Sequence, residues 1–355
     1  MKRISKLLCL LLCASGCLSA CGGSMGNTGI ETNTEDTTVN TEAITQMTEE
    51  TVPAEPERLL DADGQYAFTV PETMMGLYIS PGMDDSAVED VEGSDYINFV
   101  FVSAFNDVDF SMQVEQAVEN GNCFWINTQF LETGIKENDE GVREMGVRED
   151  WQERMNQLTD IIREEKAWNY FLGFYMDEPL LNRFSAERVY ELSKYNHDTF
   201  GKRYFVCFSV EGIVPSEYSD HVANGRMTKE YSVYITDAGY DMYWDYDEWS
   251  EKYKSINKKM KQQLPDDCKI WYVPWAFSYA DKSAEDVAKL EPAITKHLNA
   301  MYQFLQEEEH KGGLVTFCWR GSVLGFYGME EMLANGAWQH YFDRFRDIGR
   351  TLCGN

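Results

Sequence analysis

Basic side chains are scarce: 31 Lys and Arg stand against 60 Asp and Glu, for a formal charge of −29 at neutral pH. A field of that sign repels polyanions, so nucleic acid is not an expected partner. Cysteine is thin where pairing would matter. Four of the nine (Cys9, Cys13, Cys17, Cys21) crowd the N-terminal end, and Cys123, Cys207, Cys268, Cys318 and Cys353 are scattered without a CxxC pair. An odd, dispersed set argues against a disulfide scaffold and a zinc site. The five histidines (His197, His221, His297, His310, His340) fall in helical or loop stretches, with no HExxH and no pair at a strand end. Each reads as a surface or helix residue, and no metal is expected. Also missing are a GxSxG elbow, a Walker A loop and a GxGxxG turn. Their absence sets aside serine hydrolases of that type, P-loop NTPases and dinucleotide binders, and no cofactor is expected.

What is present is a chain of 355 residues, 43% apolar and 14% aromatic, with ample material for a packed core. Its first residues are for targeting rather than folding. Lys2, Arg3 and Lys6 form a positive start, and the apolar run 7–18 is too brief to span a bilayer comfortably. Leu18-Ser19-Ala20-Cys21 then resembles the lipobox of bacterial lipoproteins. That resemblance implies cleavage before Cys21, acylation of Cys21, and a membrane-held protein whose remainder works outside the cytoplasm, on the bacterial cell envelope. Residues 22–57 are rich in Thr, Glu, Gly and Asn and contain no Lys or Arg. Such a segment buries too little surface to offset the entropy of ordering it, and it reads as a disordered acidic tether. The expected organisation is a signal peptide at 1–20, the lipidated Cys and linker at 21–57, and one folded domain at 58–355.

Within that domain short β-rich runs alternate with helical patterns, the mark of parallel strands joined by crossover helices. Strands are expected at 76–80, 96–103, 123–127, 171–176, 204–210, 240–244, 270–274 and 314–319. Helices are expected at 148–166, 186–200 behind Ser185, 249–263, 284–309 and 330–350. Eight strand-then-helix units in about 300 residues predict an α/β fold, a (β/α)8 TIM barrel, over an open doubly wound sheet.

In such a barrel chemistry belongs at the carboxyl ends of the strands. The sharpest feature there is Gly173-Phe174-Tyr175-Met176-Asp177-Glu178-Pro179. Two adjacent acids leaving an apolar strand repel each other beside low-dielectric walls, which favours a retained proton, as a general acid requires. The structural alternative makes Asp177 a loop cap and pairs Glu178 with an Arg such as Arg183. Glu211 and Asp245 follow the fifth and sixth strands and are candidates for a second carboxylate. Their alternatives are a loop acid ahead of Gly212 and a cap on the helix carrying Trp249.

Residues 74–350 resemble (β/α)8 glycoside hydrolases, in which the fourth strand ends Asn-Glu-Pro or Asp-Glu-Pro and the Glu is the proton donor. Here that motif is Asp177-Glu178-Pro179, so the resemblance makes Glu178 the general acid/base. It departs at the seventh strand, where retaining enzymes carry a nucleophilic Glu: this chain reads Trp271-Tyr272-Val273-Pro274-Trp275-Ala276-Phe277, with no acid before Asp281. Similarity to chitinase-type barrels, where an Asp beside the acid orients the substrate's acetamido group, would use Asp177, but the DxxDxDxE spacing is absent.

Aromatic residues near the expected strand ends, Trp125, Tyr175, Trp244, Trp275 and Trp319, suit the C–H faces of sugars, and Asn127 and Arg320 suit their hydroxyl edges. Core packing is the alternative for each ring. The sequence thus predicts an extracytoplasmic glycosidase acting on an oligo- or polysaccharide, with a noncatalytic sugar-binding lipoprotein as the competing reading.

Overall fold

The computed structural model describes residues 58–78, 91, 93–137, 143–180, 184–214, 227–243, 245–279, 281–321 and 326–355. Cys21, the expected signal and linker, Arg183 and Trp244 lie outside them. The chain divides into Met1–Leu59 and Leu60–Asn355, and the second unit holds the strands and helices that follow. Its strands are β1 (Met74–Tyr78), β2 (Phe99–Val102), β3 (Cys123–Asn127), β4 (Glu132–Glu137), β5 (Arg143–Val147), β6 (Phe171–Asp177), β7 (Arg203–Ser209), β8 (Asp237–Asp241), β9 (Lys269–Tyr272), β10 (Ser278–Tyr279), β11 (Lys311–Phe317) and β12 (Phe326–Tyr327). Eight of these form one parallel sheet in the order β1-β11-β9-β8-β7-β6-β3-β2. From β3 through β11 each stave pairs with the one before it in the chain, and β11 pairs with β1, the order of a (β/α)8 barrel with a seam between β1 and β2.

The seam between β1 and β2 is bridged by Asn98, through its backbone and its side chain. Asn98 donates its backbone N–H to Met75 O (3.0 Å), accepts the Met75 N–H on Oδ1 (2.9 Å) and donates from Nδ2 to Thr73 O (3.3 Å). An amide side chain thus satisfies backbone groups that a ladder would otherwise pair.

The described helices are α1 (Asp107–Glu119), α2 (Trp151–Glu164), α3 (Ala186–Phe200), α4 (Val210–Ile213), α5 (Tyr246–Lys261), α6 (Ala284–Ala288), α7 (Glu291–Glu307), α8 (Met329–Ala334) and α9 (Gln339–Cys353). Their apolar spacing explains their burial. In α2 the buried residues are Trp151, Arg154, Met155, Leu158, Thr159 and Ile162, one stripe at helical period facing the sheet. Ser185 caps α3 by accepting the Arg188 N–H, and Gly201, at φ 63°, ends it. Among the described residues no helix is long and apolar enough to cross a membrane.

The barrel interior is filled in layers, so it is a core and not a pore. At the amino end Asp237, wholly buried, pairs with Arg203 and accepts the Trp271 indole N–H (2.8 Å), while Arg203 lies 5.1 Å from the Trp125 ring centre. Above them Phe205 stacks on Trp271 (4.8 Å between ring centres) and Phe99 meets Trp271 edge-on (5.1 Å). Glycine makes this packing possible: a Cβ on Gly312 would come within 2.3 Å of the Trp271 ring, and one on Gly313 within 2.2 Å of Met74 O. Trp125, expected near the sugar-facing rim, is fully buried in this stack. Its ring serves the core alternative, because alternation along β3 turns it inward one layer below the mouth.

Several boundaries differ from the sequence expectation. The sixth stave runs Asp237–Asp241 and not 240–244, because Asp237 is held inside by Arg203 and Trp271 where an acid reads as loop. The expected helix 284–309 is broken into α6 and α7 around Lys289 and Leu290, and 330–350 into α8 and α9 at Gly336, whose φ is 72°. Helix α1 was not expected. Its outward Val108 and Met112, 69% and 56% exposed, blur the apolar period that would have revealed it. The antiparallel pairs β4–β5 and β10–β12 likewise lie outside the strand expectation, in the loops of the carboxyl face.

Candidate functional site

Strand β6 is buried along its length until Asp177, where the chain meets the mouth. Tyr175 and Asp177 share the inward face, two residues apart, and the Tyr175 hydroxyl donates to Asp177 Oδ1 at 2.8 Å. Glu178 follows in a backbone conformation rare for a residue with a side chain, φ 39°, and its N–H donates to Cys207 O at 2.8 Å. Such geometry costs about 1–3 kcal/mol and persists where neighbours hold it. Glu178 is buried, with only 9% of the residue exposed.

A third acid, Asp241, ends β8. The register places Asp177 beside Cys207 on β7, Cys207 beside Gly239, and Ser209 beside Asp241, so one stave separates the two aspartates. The negative charges of all three acids reach the same two side chains, Cys207 and Tyr243. Burial, then the negative charges of Asp241, Asp177 and Glu178, push the Cys207 thiol well above its ordinary range. Burial and the same three carboxylates do the same to the Tyr243 phenol. Burial, with Asp177 next, raises Tyr175, so its hydroxyl keeps the proton it donates.

The opposite half of the mouth is aromatic. Going round, Tyr175 meets Phe101 (4.5 Å between ring centres), Phe101 meets Tyr78 (5.7 Å), Tyr78 meets Phe317 (5.2 Å), Phe317 meets Phe277 (5.3 Å) and Phe277 meets Tyr243 (4.9 Å). Phe101, Phe317 and Tyr243 are half-buried. Carboxylates on one side and half-buried rings on the other can bind a ligand with hydroxyl edges and a C–H face.

The remaining sequence candidates are placed as follows. Asp245 is exposed and caps α5, accepting the Asp247 N–H at 2.9 Å, as the helix-cap alternative has it. Glu211 lies in α4, directly after Ser209 at the end of β7. Asn127 is buried and accepts the Gln129 N–H (3.0 Å), capping the short turn Thr128–Leu131. Trp275 is half-buried and donates its indole N–H to Phe277 O at 2.6 Å. Trp319 is 6% exposed and packs on Phe342 of α9, in the layer between sheet and helices. Arg320 forms a two-pronged ion pair with Glu330 of α8.

The residues the sequence did not point to are Asp241 and the Tyr78, Phe101, Phe317 and Phe277 rings. Reading the strand from Asp237 would have found Asp241 at its end. His297 lies on a helix, α7, as expected; it is fully buried there, and burial lowers its imidazole to about 3. A separate groove of about 350 Å³ lies between β5 and the start of α3, lined by Met145, Val147, Phe184, Ser185, Glu187, Arg188 and Glu191 among others. None of its lining residues is a mouth carboxylate.

No family model matches the chain, and no curated protein matches it. Solved structures do. One assigned as an α-L-fucosidase, from Bacteroides thetaiotaomicron, is 11% identical, with 86% of this chain and 99% of that one covered and a TM-score of 0.48. An intracellular xylanase from Thermoanaerobacterium saccharolyticum is 12% identical over 66% of this chain and 84% of its own, with a TM-score of 0.43. A fungal β-1,4-galactanase is 10% identical over 67% and 83%, also with a TM-score of 0.43. Likeness of this degree does not reach chemistry, and the barrel stands on its own sheet order.

Proposed function

We propose that this protein is a glycoside hydrolase, anchored by a lipidated Cys21 and working outside the cytoplasm on an oligo- or polysaccharide. The observation that carries the reading is the strand register that sets Asp177 and Asp241 at the ends of β6 and β8, one stave apart, with Glu178 next to Asp177 and an arc of aromatic rings on the same mouth. Like charges crowded into a low-dielectric mouth favour a retained proton. Glu178, with its backbone locked to Cys207 O, is the proposed donor to the departing glycosidic oxygen. Asp241 is the proposed second carboxylate, activating water or attacking the anomeric carbon. It takes this role from Asp245, which is spent on a helix cap. Glu211 stays as the alternative second acid through its position after β7. Asp177, held by Tyr175, orients the substrate or the developing charge. Phe101, Phe317 and Tyr243 offer faces to the sugar ring.

Membrane attachment rests on the order of positive start, apolar run and Leu18-Ser19-Ala20-Cys21, followed by an acidic tether.

One observation favours a second reading, a noncatalytic sugar-binding lipoprotein: β9 ends at Tyr272 and is followed by Val273, Pro274 and Trp275, with no carboxylate at that stave. A glycan panel distinguishes the two. Release of new reducing ends supports the hydrolase, and saturable binding without release supports the binding protein.

A further inference from the structure

A buried polar chain runs behind the mouth and ties two of its loops together. His297 on α7 accepts the Trp275 backbone N–H on Nδ1 at 3.1 Å, and its Nε2 lies 2.8 Å from the Tyr253 hydroxyl oxygen on α5. Tyr253 in turn donates its hydroxyl to Met242 O at 2.6 Å. Because Nδ1 receives a proton from Trp275 and the Tyr253 proton goes to Met242, the remaining bond needs Nε2–H as the donor, which assigns the neutral Nε2–H tautomer. His297, Tyr253 and Met242 are 0%, 1% and 3% exposed, so the bonds among them are shielded from water, while the Trp275 end of the chain is half-buried. Met242 stands between Asp241 and Tyr243, and Trp275 lies in the loop after β9.

We infer that His297 and Tyr253 are positioning residues of the mouth: they clamp the chain after β8 to the chain after β9 and so fix Asp241 and Tyr243 against Trp275. This rests on the hydrolase reading for its consequence in turnover, but the clamp itself is a property of the fold. They act through Met242 and Trp275, whose backbone groups they hold. Burial, which lowers the imidazole to about 3, keeps it in its accepting form at every pH at which the protein would work.

The test uses the folded domain of the full chain with Tyr253→Phe, which keeps the ring and removes the hydroxyl, and His297→Asn, which keeps an acceptor near the Nδ1 position. Amide hydrogen exchange is followed at Met242, Tyr243 and Trp275, and kcat and KM are measured on the best glycan of the panel. Tyr253→Phe is expected to speed exchange at Met242 and Tyr243 and to lower kcat about tenfold with KM little changed, as misplacement of a reacting group does. His297→Asn is expected to keep Trp275 protected where His297→Ala does not. Exchange unchanged in Tyr253→Phe, or unchanged at Trp275 in His297→Ala, overturns the clamp. A wild type that hydrolyses no glycan overturns the hydrolase reading instead, and the clamp is then judged on exchange alone.

Discussion

The Tyr175 hydroxyl donates to Asp177 Oδ1 across 2.8 Å inside the barrel mouth, on the stave that ends in the adjacent Glu178. This bond orients one carboxylate of a crowded group, and burial keeps the phenol protonated so that it persists into alkaline solution. Tyr175→Phe is expected to lower turnover about tenfold, the effect of losing one hydrogen bond to a charged group, with the fold intact by circular dichroism. Unchanged kcat in that variant removes Asp177 from the orienting role.

The two aspartates near the sixth stave separate by a simple comparison. Asp241→Asn is expected to lower kcat by at least about a hundredfold if it acts as base or nucleophile. Asp245→Asn is expected to leave kcat nearly unchanged, and Asp245→Ala to cost about 1 kcal/mol of stability through loss of the α5 cap. Steady-state kinetics and urea denaturation of the three variants read both effects. Full activity in Asp241→Asn returns the second-acid role to Glu211.

Much of this was legible in the chain. Alternating strand and helix patterns predict the barrel, and Asp177-Glu178-Pro179 marks the end of its fourth stave because acids and a proline interrupt an otherwise apolar run. Asp241 was hidden for a physical reason. A strand opening with Asp237 reads as loop until Arg203 and Trp271, 34 residues away in either direction, are seen to bury and pair it. His297 was hidden likewise, since local pattern places it on a helix but only tertiary contact supplies Tyr253 and Trp275. Trp319 and Arg320 mislead in the opposite sense. They sit next to a strand end, yet Phe342 and Glu330 on the following helices engage them.

At the floor of the barrel, Arg203→Met leaves Asp237 buried without its cation. Removing one member of such a pair costs about 3–5 kcal/mol, and the loss is read from the urea midpoint. Asp237 keeps the Trp271 and Thr236 hydrogen bonds, so the lower end of that range is expected. No change in midpoint would contradict a structural role for the pair.

His297 also sets a pH dependence. Its folded value, about 3, lies below the ordinary 6.5 of the unfolded chain, so between those limits the unfolded state binds the extra proton. Stability therefore rises with pH through this window and is lost as pH falls from 6.5 toward 3, by at most roughly 1.4 kcal/mol per pH unit. In His297→Asn that contribution is absent. Urea denaturation from pH 4 to 7 is expected to show a shallower slope for the variant, and equal slopes would contradict the buried neutral imidazole.

The central claim is that Glu178 hands a proton to a leaving sugar oxygen, and the most direct measurement compares wild type and Glu178→Gln on two substrates of the same sugar. One carries a natural sugar leaving group and the other a dinitrophenyl group that departs without protonation. The account predicts a loss of about a hundredfold or more on the first and a far smaller loss on the second. Equal activity of Glu178→Gln and wild type on the natural linkage would contradict it.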